Sequence, residues 1–198
     1  MNRLFALPMM LLVPTLTTGC DTEGKDASGN AAVTRADVEA IEEGSGQGVI
    51  HTGIWTLQTE VTATNCDLVN VGGVLPLPEE GDEDEESIEL VHKQGDLDRP
   101  SADLGEGVVG DSFVFEGQFN ADKTFKYGQV FEIEIGGQLL RRTEIVEGRL
   151  ETDDGGKMTA TANRRYEADS LVDIDCSADV RITGTRSLTG NEGDEGEE

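Results

Sequence analysis

The feature that most limits what this chain can become is a period-two alternation that runs through its middle. "SFVFEGQF" puts Phe113, Phe115, Gly117 and Phe119 on one side, and "TFKYGQVFEIEI" does the same with Phe125, Tyr127, Phe131, Ile133 and Ile135. The intervening positions carry Glu116, Gln118, Lys126, Glu132 and Glu134. Alternation of this kind belongs to antiparallel strands with one wet face and one dry face. Short turn signals separate the runs: "NADK" at 120–123, "GG" at 136–137 and "DDGG" at 153–156. They link the two runs to "QLLRRTEIVEGRL" and "KMTATANRRY", which predicts a four-strand meander.

Strand-like runs recur from Ile50 to about residue 189, at the spacing of a sandwich or barrel. The expected fold is all-β, an antiparallel up-and-down barrel of about 7–8 strands. "TRADVEAIEEG", from Thr34 to Gly44, predicts a short helix ahead of it, with Thr34 and Asp37 as a capping pair and Gly44 as the stop.

Charge narrows the partners. Asp and Glu outnumber Lys and Arg 41 to 15, for a formal charge of −26. Such a surface repels phosphate backbones, so no nucleic-acid partner is expected. "VLPLPEEGDEDEE" concentrates acids over residues 79–86, but without the Asp-x-Asp-x-Asp-Gly spacing that aims oxygen ligands at calcium. It reads as a solvated loop, and no metal site or cofactor is expected. The tail 190–198, "GNEGDEGEE", has the composition of a disordered segment.

The N-terminus reads as an address. Arg3 precedes the apolar run Leu4–Pro14, which is too short to span a bilayer as a helix. "TLTTGC" follows, and Gly19-Cys20 resembles the end of the bacterial lipoprotein signal, in which the Cys is lipidated and becomes the new N-terminus. That resemblance implies a signal peptide over 1–19, a lipid anchor at Cys20 and a site in the bacterial cell envelope, outside the cytoplasm. Residues 20–48 then read as a tether containing the short helix, and 49–189 as the barrel domain. The membrane is the one partner this implies; no protein partner is legible.

With Cys20 lipidated, Cys66 and Cys176 remain as an even pair in a compartment that permits disulfides. The alternatives are two free thiols or a metal pair, and neither has a His or third Cys nearby. A disulfide would close 110 residues, which the chain-entropy model makes worth about 4–5 kcal/mol. It would also fasten the first strand, with Trp55, Leu57, Thr59, Val61 and Ala63 on one face, to the last. That last strand puts Ile174, Cys176, Ala178, Val180, Ile182, Gly184 and Arg186 on one face. Pairing Trp55 with Arg186 and Cys66 with Cys176 asks for registers one residue apart. A bulge must absorb the slip, or Cys66 must lie past the regular end of its strand.

"GIW", Gly53 to Trp55, placed after a short helix at the start of the first strand, resembles the Gly-x-Trp signature of the lipocalins. In that family an Arg of the last-strand region packs over the Trp, and Arg186 is placed to do so. The resemblance implies a calycin-type barrel. It also implies a lumen for a small hydrophobic ligand, with Trp55, Phe115, Phe131 and Arg186 as candidate contacts.

Enzyme signals are lacking. "GDS" at 110–112 resembles an esterase nucleophile motif, but it runs into a strand and not into an elbow and helix. His51 and His92 have no readable Ser or Asp partners, and no catalytic residue is assigned. Three functions remain: a structural or protein-interaction lipoprotein with a filled barrel, a carrier of a small hydrophobic molecule, and an unrecognised hydrolase. Close packing as the default state of interiors favours the first.

Overall fold

The computed structural model describes residues 25–27, 29, 31–47, 51–66, 77–100, 108–135, 138–151, 155–169 and 173–187. The signal segment, Cys20, the Gly136-Gly137 turn and the acidic tail lie outside the described residues, as do Asp153 and Asp154 of the "DDGG" turn.

The fold is all-β. Eight strands run up and down, each antiparallel to the next: β1 (Gly53–Thr64), β2 (Glu83–Lys93), β3 (Asp96–Asp98), β4 (Val108–Phe119), β5 (Thr124–Ile135), β6 (Gln138–Leu150), β7 (Lys157–Asp169) and β8 (Asp173–Ser187). They form one ring-like sheet that returns on itself through β1 and β8. The meander β4–β5–β6–β7 is as its alternation predicts. β3 is the weak link: its ladders reach only Val91–Lys93 of β2 and Gly117–Gln118 of β4. Among the described residues, the β2 edge from Glu83 to Leu90 has no ladder partner on that side.

The β1–β8 ladder resolves the register conflict. Trp55 pairs with Arg186 and the register holds to Val61–Val180; it then shifts by one, so that Ala63 meets Asp179 and Thr64 meets Ala178. The bulge falls at Thr62, and Cys66 lies two residues past the end of β1. Ala63 therefore leaves the inner face on which the sequence pattern put it, because an extra residue exchanges faces. Beyond the bulge Cys66 and Cys176 are disulfide-bonded, with Cα atoms 5.0 Å apart. Asn65 secures the same end: its Oδ1 accepts from the Ser177 amide at 2.7 Å and its own amide donates to the Ser177 carbonyl at 3.1 Å.

The acidic run corrects the sequence reading. Only Glu79–Asp82 turn, with the Asp82 amide donating to the Glu79 carbonyl at 3.1 Å. Glu83 to Glu86 are the first residues of β2 and pair with Glu60, Thr59, Gln58 and Leu57 of β1. Ladder bonds are made by the backbone whatever the side chain, and Glu85 and Glu86 find partners. Gln58 donates to Glu85, Arg181 bonds Glu60 opposite Glu83, and Arg164 faces Glu86. Among the described residues no group of three or more His, Cys, Asp or Glu is placed to hold a metal ion.

Helix α1 (Arg35–Glu39) is a single turn, closed by a capping box in which Thr34 accepts from the Asp37 amide and Asp37 from the Thr34 amide. It neither plugs an end of the ring nor projects from it. Val38 and Ile41 sit on the outer face of β5, where a Cβ on Gly128 would come within 2.8 Å of a Val38 methyl. The segment after it is tied to the ring by the Gly44 amide on the Gly95 carbonyl (3.1 Å) and the Gly46 amide on the Phe119 carbonyl (2.8 Å). No helix of the described residues is long and apolar enough to cross a membrane, which says nothing about strands.

Candidate functional site

The inner face divides into two halves of different character. One is sealed. Trp55 is fully buried and its indole Nε1 donates to the His51 carbonyl at 3.0 Å. The His51 ring stacks on it at 4.7 Å and also meets Phe125 at 4.8 Å, while His92 packs on Phe119 at 4.3 Å. The two histidines are linked: the His51 amide donates to His92 Nδ1 at 3.3 Å, leaving His92 Nε2 to donate to the Gln94 carbonyl. Arg186 covers the other side, its guanidinium carbon 5.9 Å from the Trp55 ring centre and its Nη1 donating to the Thr52 carbonyl at 3.2 Å. Gly53 explains the glycine of "GIW". Its φ is +146°, and a Cβ there would lie 2.9 Å from the Arg186 Cδ. Burial, then His92 and Arg186, lower the His51 pKa to about 3, so the ring is neutral.

The other half is polar and aromatic. Cross-strand pairing sets Phe115, Gln129, Glu144 and Arg164 side by side across β4, β5, β6 and β7. The next rung toward the disulfide is Phe131, Arg142, Tyr166 and Cys176. Glu144 is the hub. It is 1% exposed and accepts from Arg164 Nε at 2.6 Å, from Arg142 Nη2 at 2.7 Å and from Gln129 Nε2. Arg99 Nη1 donates to Gln129 Oε1 at 2.9 Å, extending the network. Burial alone would push the Glu144 carboxyl up, but the two guanidiniums overcome it and hold the group well below the usual carboxylate range.

Phe131 lies beneath the Arg142 guanidinium at 5.1 Å, and Phe115 stacks on Tyr127 at 5.4 Å. Phe113 and Phe115 share the inner face with Phe119 yet remain partly exposed, whereas Phe119 is buried. The four candidate ligand contacts therefore do not meet at one place. Trp55 and Arg186 belong to the sealed half, and Phe115 and Phe131 border the polar belt.

Gln129, Arg142, Glu144 and Arg164 escaped the sequence reading, although a signal was there. Arg142 and Glu144 share parity with Leu140, Val146 and Leu150 in "QLLRRTEIVEGRL", and Arg164 with Met158, Ala160, Ala162 and Tyr166. A charge on the apolar parity of a strand must be buried with a partner or solvated inside. The motif Gly110–Ser112 lies within β4, in the stretch between Val109 and Val114 where the ladder to β5 shifts register. An open groove of about 1030 Å³ lies outside the ring between the helical segment and the strands. Its walls mix Val33, Ile41, Ile145, Lys126, Glu147 and Arg181 without convergent donors. Comparison with protein-family models, with curated proteins and with solved structures finds no match to this chain.

Proposed function

We propose that the chain is a lipid-anchored protein of a bacterial cell envelope, and that its lipocalin-like barrel carries one small, largely apolar molecule. The observation that carries this reading is the contrast between the two halves of the interior. Around Trp55 the side chains pack to exclusion, which suits a plug. Around Phe115 inward-facing aromatics stay partly exposed beside a buried ionic belt. Concave sites that combine apolar lining with a few fixed polar groups are the usual form of small-molecule pockets. The anchor rests on the resemblance at Gly19-Cys20, and it sets the chain at a membrane from which apolar molecules partition.

The interaction reading keeps one supporting observation, the exposed acids Glu83, Glu85 and Glu89 on β2, whose outer edge has no ladder partner over Glu83–Leu90 among the described residues. Native mass spectrometry separates the two. Cys20→Ser should leave membrane fractions for the soluble ones, and that soluble form should carry one small-molecule adduct that denaturation releases. A bare mass under native conditions, together with a stable protein partner, would favour interaction over carriage. A wild-type chain that is soluble with an unmodified Cys20 would remove the anchor.

A further inference from the structure

The segment ahead of β1 lies along the outside of the ring and is fastened at both ends. At the Trp55 end the Gly44 and Gly46 amides bond the Gly95 and Phe119 carbonyls, and the Ser45 amide donates to Asn120 Oδ1 at 3.3 Å. Midway, Val38 is fully buried against Gly128 of β5. Toward the disulfide end Ala32 and Val33 are buried, and Ala31 makes an antiparallel bridge with Lys25. The turn between them is closed by the Gly29 amide on the Asp26 carbonyl at 3.0 Å. Asn65, the residue before Cys66, donates from Nδ2 to the Lys25 carbonyl at 3.0 Å. Lys25 is thereby pinned beside the disulfide. Cys20 precedes it by five positions, which span at most about 18 Å in any conformation. From Cys176 to Arg186 β8 covers about 33 Å of strand, or about 25 Å of axis at an ordinary tilt. A lipid on Cys20 therefore reaches the surroundings of the disulfide end and not those of the Trp55 end.

We infer that the Cys66–Cys176 end of the ring is a membrane-facing surface, held against lipid head groups of no net charge by the short link to Cys20, with the Trp55 end turned away. It rests on the lipid anchor at Cys20 and adds an orientation to it. Leu139, 50% exposed at the start of β6, offers apolar contact at this end. The turn from β1 to β2 exposes Glu79, Glu80, Asp82 and Glu83 there as well. Those carboxylates repel anionic head groups across a Debye length of about 10 Å at 0.1 M salt, so an uncharged lipid surface is the one that fits. The partly exposed Phe113 and Phe115 lie in the half of the interior nearer this end. An apolar molecule leaving the bilayer would enter that half without passing the sealed Trp55 end.

The test is energy transfer from a fluorophore on the lipidated mature chain to an acceptor dye in phosphatidylcholine vesicles. Glu134→Cys carries the fluorophore at the disulfide end and Ala121→Cys carries it at the Trp55 end, both at exposed positions. Transfer should be several-fold greater from position 134 than from position 121. A spacer of about twenty Gly and Ser residues between Gly24 and Lys25 adds about 25 Å of mean reach and leaves the ring untouched. It should remove most of the difference. Replacing part of the phosphatidylcholine with phosphatidylglycerol should lower transfer from position 134. Equal transfer from both positions on chains that float with the vesicles, the result for a ring lying on its side, would overturn the orientation and leave the anchor intact. Greater transfer from position 121 would do the same. A chain that does not float with the vesicles would overturn both. A difference that survives the spacer would overturn the link to Cys20 as its cause, and indifference to phosphatidylglycerol would overturn the preference for uncharged lipid.

Discussion

Trp55 and Arg186 stand directly opposite each other on β1 and β8, with the guanidinium carbon 5.9 Å from the centre of the indole ring. The pair closes the ring at one end, because the Arg stem lies where a Cβ on Gly53 would go and its head reaches the Thr52 carbonyl. Removing the cover costs packing as well as charge. Arg186→Ala should destabilise the chain by about 1–2 kcal/mol and shift Trp55 emission to the red. An unmoved emission maximum with unchanged stability would mean that the contact does not seal the end.

The disulfide holds the opposite end, where Cys176 follows Tyr166 and Arg142 around the same rung. Cys66→Ser should lower stability by about 2–5 kcal/mol, and non-reducing peptide mapping should recover the two linked peptides. Quantitative alkylation of both thiols in native, unreduced protein would contradict it.

Gly148 marks a place where the interior tolerates no added atom. A Cβ there would lie 2.5 Å from the Thr159 carbonyl oxygen and 2.6 Å from the Phe125 Cζ. The carbonyl belongs to the β7 ladder and cannot step aside. Gly148→Ala should therefore destabilise by about 1–3 kcal/mol by overpacking, visible as a lower denaturation midpoint. A neutral result would show that the Phe125 region is loosely packed.

The pKa of His51, lowered to about 3, fixes a pH dependence. Below its unfolded value of about 6.5 the unfolded chain takes up a proton that the folded chain refuses, so stability is complete above that pH. It is lost as the pH falls toward about 3. His51→Phe removes this contribution, so the variant should gain on the wild type by a few kcal/mol, on the order of 2–4, between pH 7 and pH 3. Parallel stability profiles for the two proteins would show that the ring protonates while folded.

Much of the fold was legible because alternation states which face of a strand is dry. The meander followed from it, and the Trp55–Arg186 and Cys66–Cys176 pairs together exposed a one-residue slip that the bulge at Thr62 absorbs. β2 was not legible over its acidic half. Backbone pairing places Glu83–Glu86 in the ladder, and side-chain chemistry argues against a strand there. The polar belt was lost for a related reason. Arg142, Glu144 and Arg164 give no signal until the parity of their neighbours is checked, and Glu86 joins them only through the closure of the ring. His51 and His92 gave no local sign of their shared packing, since 41 positions separate them and only the β1–β2 pairing brings them together.

Carriage requires that the half of the ring beside Phe115 and Phe131 receive one small apolar molecule while the Trp55 half stays sealed. A titration with N-phenyl-1-naphthylamine that follows probe and Trp55 emission together tests both parts at once. The expected result is saturation at one probe per chain, a Trp55 emission maximum that does not move, and binding clearly weakened by Phe115→Ala or Phe131→Ala. Probe emission that rises without saturating, or that ignores both substitutions, would contradict it.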